Sequence, residues 1–408
     1  IRSTNMEIGP IWRAMMRNKT GAILIALQIA VTMAIMVNAI SIMQERGRMM
    51  ARPSGIDEHN IFTILSVGFA ENFNERATIE EDLAALRALP GVRNAVQSNS
   101  VPLSGGGWSM GLQTEPGEDK EGPSVAVYFV DEHGIDTFGL NLQAGENFSA
   151  TDITWREGSD TTWPDKIIVT RSTAEALFPD DPDGALGKTV YISGDLAMTI
   201  TGIIERMQAP WNGWDGVERV MLTPNHTLFG ATRYIIRTEP GRRDELMPQV
   251  EALLAGSNQG RIVRSMRTMD EIRERSYRGD SSMIKLLTFT IILLITVTSL
   301  GIVGLASFSV NRRTRQIGTR RALGATRTAI LRYFMTENFL ISLVGVLIGA
   351  VLTVGLNIIM IETFSLTRVA WYLVPVAMLM LLAVGQAAVL GPARKASAVP
   401  PAVATRTV

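Results

Sequence analysis

Four apolar runs, each long enough to cross a lipid bilayer, constrain this chain more than any other feature. They cover residues 20–43, 283–310, 329–361 and 371–391. An α-helix rises about 1.5 Å per residue, so about 20 apolar residues cross the hydrocarbon core of a bilayer. The third run exceeds one crossing, and we expect that helix to tilt or to project from the membrane. The pattern predicts an α-helical membrane protein with four spans.

A basic segment between the second and third runs sets the predicted topology. Residues 312–327 carry six arginines and no acid. Short loops that are rich in Lys and Arg stay in the cytoplasm. We therefore place the loop 311–328 and both ends of the chain in the cytoplasm, and the long segment 44–282 outside. The tail 392–408 is basic as well, and the short outer loop 362–370 is not.

The net charge of zero is a cancellation between two parts of the chain. Residues 44–282 hold 36 of the 39 acids and 23 of the 39 Lys and Arg, a net charge of −13, and the rest of the chain carries +13. The positive charges flank apolar runs, which indicates membrane topology rather than binding to nucleic acid. The chain has no cysteine, which excludes disulfides and thiolate metal sites.

The first apolar run follows basic residues, as in a secretory signal peptide. It is longer than the apolar core of a signal peptide and lacks an obvious cleavage site, so we interpret it as a retained anchor. Within residues 1–19 we predict an amphipathic helix on the inner membrane surface, with an extension of the first span as the alternative. Its apolar residues recur at helical spacing and are Ile8, Ile11, Trp12, Met15 and Met16.

The segment 44–282 has the pattern of an α/β domain. Strand–helix–strand signals occur in 57–135 and again in 231–267, around a middle stretch, 136–230, that is rich in Gly, Pro and short strands. The polar residues 268–282 predict a helical stalk. The fold class that follows is four transmembrane helices plus an extracytoplasmic α/β domain with a β-rich insertion.

The basic segment has a specific residue order as well as a charge. Residues 315–325 read Arg-Gln-Ile-Gly-Thr-Arg-Arg-Ala-Leu-Gly-Ala, and Glu337 lies near the start of the next span. The order closely resembles the loop R-x-x-EIG-x-RRALGA of the FtsX/MacB superfamily of ABC transporter permeases. Gln316 stands where that family usually has Glu. The tail Pro392-Ala393-Arg394-Lys395 resembles the family ending, although Pro400 takes the place of its Asp.

The resemblance implies that the basic segment is a coupling helix seated in a groove of an ABC ATPase. Taken alone, the arginines offer cations to a protein partner, and Gly318 and Gly324 permit close backbone approach. The alternative is simple topology with contact to anionic lipid. The expected coupling residues are Arg315, Gln316, Ile317, Gly318, Arg320, Arg321, Ala322, Leu323, Gly324 and Ala325, and the basic tail contributes Pro392, Arg394 and Lys395.

The resemblance also implies an assembly of the mechanotransmission class, type VII, with two permeases and two copies of a separate ATPase that binds ATP and Mg. The second permease is an identical chain or a paralogue. The outer domain would have a porter-like part in two halves and a sabre-like insertion. Efflux of antibiotics or peptides through an adaptor and an outer-membrane duct of a Gram-negative cell is the expected function. Lipoprotein extraction and regulation of a cell-wall hydrolase are the alternatives.

Other candidate sites are weaker. The segment 184–189 imitates a phosphate loop, but Pro182 stands where a phosphate loop needs Gly. The three histidines lack metal-ligand spacing, and we expect no metal site, no catalytic residue and no cofactor in this chain. Gly345 and Gly349 form a GxxxG pair for helix packing within or between chains. The Trp-rich stretch 209–214 is expected in the core, with an exposed partner face as the alternative.

Overall fold

The computed structural model describes residues 19–364 and 368–400. The chain divides into two compact units. We call residues 19–50 together with 280–400 the membrane unit, and residues 51–279 the outer unit. The predicted amphipathic helix lies outside the described residues, and so does the end of the tail from residue 401.

The secondary structure elements are numbered in chain order. In the outer unit and its flanks they are β1 (Ile61–Gly68), α2 (Glu75–Ala88), β2 (Val92–Gln97), β3 (Trp108–Gln113), β4 (Ser124–Val130), α3 (Gly134–Phe138), β5 (Leu142–Gly145), β6 (Thr154–Glu157), β7 (Lys166–Thr170), α4 (Arg171–Leu177), β8 (Thr189–Ile192), β9 (Leu196–Ile204), β10 (Val220–Leu228), β11 (Ala231–Thr238), α5 (Arg243–Ser257), β12 (Arg261–Thr268) and α6 (Met269–Ser276). In the membrane unit they are α1 (Lys19–Met50), α7 (Arg278–Arg312), α8 (Thr314–Ala322), α9 (Arg327–Phe364) and α10 (Leu373–Ser397).

Among the described residues four helices, α1, α7, α9 and α10, are long and apolar enough to cross a membrane. Each is longer than the apolar run that predicts it. The predicted stalk forms α6 and the first turn of α7, and the first residues of the predicted tail continue α10 to Ser397. Apolar periodicity marks only the lipid-compatible part of a helix, and the backbone hydrogen bonds continue through the polar residues at its ends.

Close packing of α9 against α1 forms the centre of the membrane unit. A Cβ atom at Gly345 would lie 2.9 Å from the Cβ of Ile29, and one at Gly349 would lie 2.9 Å from the Cβ of Met33. The predicted GxxxG pair is therefore used within the chain, where it lets the two backbones approach. The surrounding buried side chains include Ile302 of α7 and Leu381 of α10.

Polar side chains inside the membrane helices face protein, as the cost of burying them in lipid predicts. The Asn38 side chain donates to the carbonyl of Ala34 at 2.8 Å and to that of Thr353 at 3.3 Å. Asn338 donates to the carbonyl of Gly385 at 3.0 Å, which ties α9 to α10. These bonds replace the water that the bilayer lacks.

The first sheet of the outer unit is antiparallel and has the strand order β12-β1-β11-β2. The two predicted strand–helix–strand halves, β1-α2-β2 and β11-α5-β12, interleave to form this one sheet. Helices α2 and α5 cover one face of it. That face buries Phe62 and Ile64 of β1 and Tyr234 and Ile236 of β11.

The second sheet closes into a small barrel. The strands pair in the ring β4-β3-β8-β9-β7-β10, and β10 also pairs with β4. The barrel includes β3 and β4, so the boundary that we predict at residue 135 does not coincide with the division between the sheets. A continuously buried strand such as β4 carries no alternation in its sequence that identifies its partner strands.

A buried ion pair connects the elements around the first sheet. Arg261 of β12 donates to both carboxylate oxygens of Asp82 on α2, and to the carbonyl of Leu254 at 2.6 Å. The hydroxyl of Tyr234 donates to the same carboxylate at 2.5 Å. Burial and the negative charge of Asp82 raise the pKa of Tyr234 far above its usual value, so this hydroxyl remains a donor.

The packing of α1 on α9 predicts the effect of adding volume at Gly349. Gly349→Leu should force the helices apart at Met33 and destabilise the membrane unit by about 1–3 kcal/mol. Gly355→Leu is the matched control, because nothing lies within 4 Å of a Cβ at that position of the same helix. Thermal unfolding of the solubilised chain measures the difference, and equal unfolding temperatures for the two variants would contradict the packing.

The buried ion pair predicts a second stability effect. Asp82→Asn leaves the Arg261 guanidinium buried without its counter-charge and should cost about 3–5 kcal/mol. Glu80→Gln on the same helix breaks only the exposed pair with Arg76 and should cost less than about 1 kcal/mol. Denaturant unfolding compares the two variants. A double change of Asp82 to Leu and Arg261 to Met should recover most of the loss, and a failure to recover would argue against the pair as the cause.

Candidate functional site

The basic segment folds into the short helix α8 between α7 and α9. Its residues are mostly good helix formers. The helix ends in a Schellman motif, in which the Gly324 amide donates to the carbonyl of Arg321 at 3.1 Å and the Ala325 amide donates to that of Arg320 at 3.0 Å. Gly324 has φ +97° and open space around its Cβ position. The glycine therefore meets the need for a left-handed backbone, and its close approach to a protein partner stays a prediction.

One face of α8 anchors it to the membrane helices. Ile317 and Gly318 are buried. Ile317 packs in an apolar cluster with Val310 at the end of α7, Phe334 near the start of α9 and Ala393 near the end of α10. Helix α8 thus contacts the three membrane helices α7, α9 and α10.

Hydrogen bonds from arginines reinforce this anchor. Arg321 is half-buried and its Nη1 donates to the carbonyl of Ser397, the last residue of α10, at 2.8 Å. Arg313, which directly precedes α8, donates to both carboxylate oxygens of Glu337 at 3.0 Å. Both side chains of this pair are largely buried, so loss of one partner would destabilise the junction of α7, α8 and α9 more than loss of a surface pair would.

The opposite face of α8 is exposed. The side chain of Leu323 is 83% exposed at the C-terminal tip, and the guanidinium of Arg320 lies 5.1 Å from the ring of Tyr333. An exposed leucine between cations suits an acidic groove with an apolar floor on a protein partner. Of the expected coupling residues, those exposed are Arg315, Gln316, Arg320, Ala322, Leu323 and Gly324, whereas Arg321 and Ala325 are half-buried.

The basic tail lies beside this site. Pro392 is buried within α10, and Arg394 and Lys395 are exposed in its last turn. Cations at this position are stabilised by the negative C-terminal end of the helix dipole. The tail therefore adds positive charge near α8, while its last residue Ser397 accepts the hydrogen bond from Arg321.

The pair of Arg313 with Glu337 is the feature of the site that sequence reasoning missed. Glu337 is conspicuous in the sequence as the lone acid of an apolar run. Several arginines compete as its partner, and only the turn between α7 and α8 brings Arg313 within reach. Among the described residues no group of three or more His, Cys, Asp or Glu side chains could hold a metal ion.

Two family models match the chain. The model of the FtsX-like permease C-terminal region matches residues 288–401, which include α8 and the exposed arginines. The model of the MacB-like periplasmic core domain matches residues 22–253, more than half of the chain.

Curated relatives agree with these matches. The chain is 27% identical over 277 residues to a macrolide export ATP-binding/permease protein MacB of Chromobacterium violaceum, covering 64% of this chain and 40% of that protein. It is 23% identical over 362 residues to a MacB 1 of Yersinia pestis, covering 86% and 52%. The chain thus spans about half the length of these relatives.

Solved structures with similar folds include the periplasmic region of MacB from Actinobacillus actinomycetemcomitans. That structure is 15% identical and covers 56% of this chain and 97% of its own, with a TM-score of 0.34. The extracellular domain of the transporter YknZ from Gram-positive bacteria is 18% identical and covers 50% and 100%, with a TM-score of 0.31.

Both family models agree with the order of elements along the chain. In that order one large domain lies between the first and the second of four membrane helices. The chain belongs to the MacB/FtsX family of ABC transporter permeases.

Proposed function

We propose that this permease transmits the motion of an ABC ATPase to its outer domain, and that α8 is the part on which the ATPase acts. The observation that carries the proposal is the division of α8 into two faces. Arg315, Arg320 and Leu323 face outward, whereas Ile317 and Arg321 are held by the membrane helices. A partner that pushes the outer face therefore moves the helices that hold the inner face.

These contacts hold α8 firmly against the membrane helices, so that it is not a loose loop. It packs on the end of α7 and the start of α9, and it is bonded to the end of α10. Motions of packed elements pass on as whole-body shifts because close-packed interfaces do not deform continuously. Loss of the outer face should uncouple the ATPase, whereas loss of the anchor should also destabilise the membrane unit.

The membrane helices support a transmission role better than a channel role. Asn38 and Asn338 are bonded to helix carbonyls, and Glu337 is paired with Arg313. These polar groups are used in packing and so are poor candidates for a substrate path. We propose that the substrate is handled on the outer side of the bacterial inner membrane and does not cross this membrane through the helices.

The names of the relatives indicate macrolide export, and we propose efflux of periplasmic antibiotics or peptides as the transport function. The proposed assembly has two permeases and two copies of the ATPase, which bind ATP and Mg, with an adaptor and an outer-membrane duct. Purification from native membranes followed by mass spectrometry tests it. Recovery of a cell-wall hydrolase or a lipoprotein in place of an adaptor would contradict efflux.

The exposed face of α8 predicts the effect of reversing its charge. Arg320→Glu combined with Leu323→Ala should weaken association with the ATPase by about tenfold or more, because a negative charge would face an acidic groove. Stimulation of ATP hydrolysis by the permease should fall with it. Arg332→Glu, which makes the same charge change at an exposed position of α9, is the control. Unchanged association and unchanged stimulation in the first variant would refute the proposed contact.

The Schellman motif predicts a milder effect at Gly324. Gly324→Ala places a Cβ on a left-handed backbone at a cost of about 1 kcal/mol, and should shift the tip of α8 without unfolding the membrane helices. Gly324→Asn should cost less, because Asn tolerates this conformation. ATPase stimulation and thermal unfolding are measured together, with Gly304→Ala in α7 as the control. Equal stimulation by the wild type and both Gly324 variants would show that the tip geometry is unimportant.

A further inference from the structure

The outer unit contains a cavity of about 420 Å³ on the face of the first sheet that α2 and α5 leave uncovered. Side chains alternate along a strand, so Leu65 of β1 and Arg233 of β11 point away from the helix-covered face. Helix α6 and the loops at 103–105 and 210–212 complete the walls. The volume suits a small organic ligand.

Three arginines line this cavity, and no acid does. They are Arg233 on β11, Arg267 on β12 and Arg275 on α6. The two strands flank β1, which brings Arg233 and Arg267 near each other, and burial together with the charge of Arg267 lowers the pKa of Arg233. An arginine side chain in a protein is nevertheless charged at neutral pH.

Other arginines around the first sheet have carboxylate partners. Arg261 and Arg237 are paired with Asp82 and Asp57. In contrast, the Nε of Arg233 is buried and has no hydrogen-bond acceptor among the described residues. Arg233 and Arg267 are half-buried, and desolvating a cation without a counter-charge has a cost. An anion in the cavity would therefore supply the counter-charge that these arginines lack.

The backbone around the cavity is strained. Among the described residues three that are not glycine have a positive φ, and two of these, Leu103 at +66° and Ser265 at +57°, line the cavity. Ser265 lies within the irregularity in the pairing of β1 with β12. Strain of this kind persists where surrounding structure holds it, and it concentrates at ligand sites.

Apolar groups form part of the remaining lining, together with Ser and Asn side chains. Leu103, Pro210 and Trp211 come from the two loops, and Ile272 comes from α6. The ring of Trp211 lies edge-on to that of Trp214 at 5.6 Å. The side chain of Asn212 donates to the carbonyl of Ser276 at 3.0 Å and so ties the tryptophan loop to α6. The Trp-rich stretch 209–214 thus forms part of a cavity wall. This position is intermediate between the two that the sequence allows, the core and an exposed face for a partner.

We propose that this cavity binds a small amphipathic anion on the outer side of the membrane. A phosphate or carboxylate group would be held by Arg233 and Arg267 across β1, with Arg275 closing on it from α6, and the apolar part would lie against Trp211. Arginine suits this role because its planar guanidinium bonds such oxygens in pairs. The binding itself is independent of the proposed ATPase coupling and can be measured without ATP.

Calorimetric titration of the full chain in phosphatidylcholine nanodiscs, with hexyl phosphate as the probe, tests this site. We expect saturable binding that is stronger than that of inorganic phosphate or hexanol. Changing Arg233 and Arg267 together to Gln should weaken it by about tenfold or more. Arg275→Gln, at an exposed position of α6, should weaken it in part. Arg264→Gln, an exposed position of β12 outside the cavity lining, is the charge-matched control and should leave binding unchanged.

Thermal unfolding separates a ligand site from a structural role. Without the probe, the variant that lacks both arginines should unfold at the wild-type temperature or above it, because it removes two like charges. The probe should raise the unfolding temperature of the wild type only. Nanodiscs with phosphatidylglycerol distinguish the source of the anion, since a bound lipid headgroup would block the probe. Two results would overturn the proposal. One is equal binding of hexyl phosphate by the wild type and the double variant, and the other is binding of hexanol to the wild type as strong as that of hexyl phosphate.

Discussion

The rule that a buried polar or charged group needs a partner governs both units of this permease. Inside the membrane helices it pairs Arg313 with Glu337 and directs Asn38 and Asn338 to helix carbonyls. In the outer unit it joins Asp82 to Arg261 beneath the first sheet. Because such bonds are worth most where water is absent, they hold the elements in one arrangement. Among the described residues several buried side-chain atoms lack a partner, and one of them, the Nε of Arg233, lies at the cavity where we place a ligand.

The same rule gives α8 its two faces. A short basic helix at a membrane surface could lie loosely on lipid headgroups. Here Ile317 is buried in an apolar cluster and Arg321 bonds to the end of α10, so the helix is part of the membrane unit. The other arginines of α8 take no part in this anchoring and face outward with Leu323. In the function that we propose, this separation of anchor and contact surface lets the ATPase move the membrane helices as a body.

Much of the fold could be predicted from the sequence because its signals are local. Apolar runs give the membrane helices, and β-branched runs between turn residues give strands such as β7 and β9. The candidate site was predicted as a set of residues, but not as two faces, since Arg320 and Arg321 are adjacent in the sequence and differ only in their surroundings. The partner of Glu337 and the inclusion of β3 and β4 in the barrel depend on contacts between residues far apart in the chain.

The sequence by itself determined the four spans and the family of the chain and predicts the side of the membrane for each loop, because hydropathy, a specific motif and charge bias are properties of short segments. Only the tertiary structure decided the closed barrel, the use of Gly345 and Gly349 within one chain, and the convergence of three arginines on one cavity. Those outcomes depend on strand pairing and helix packing, in which each residue's role is set by neighbours distant in sequence.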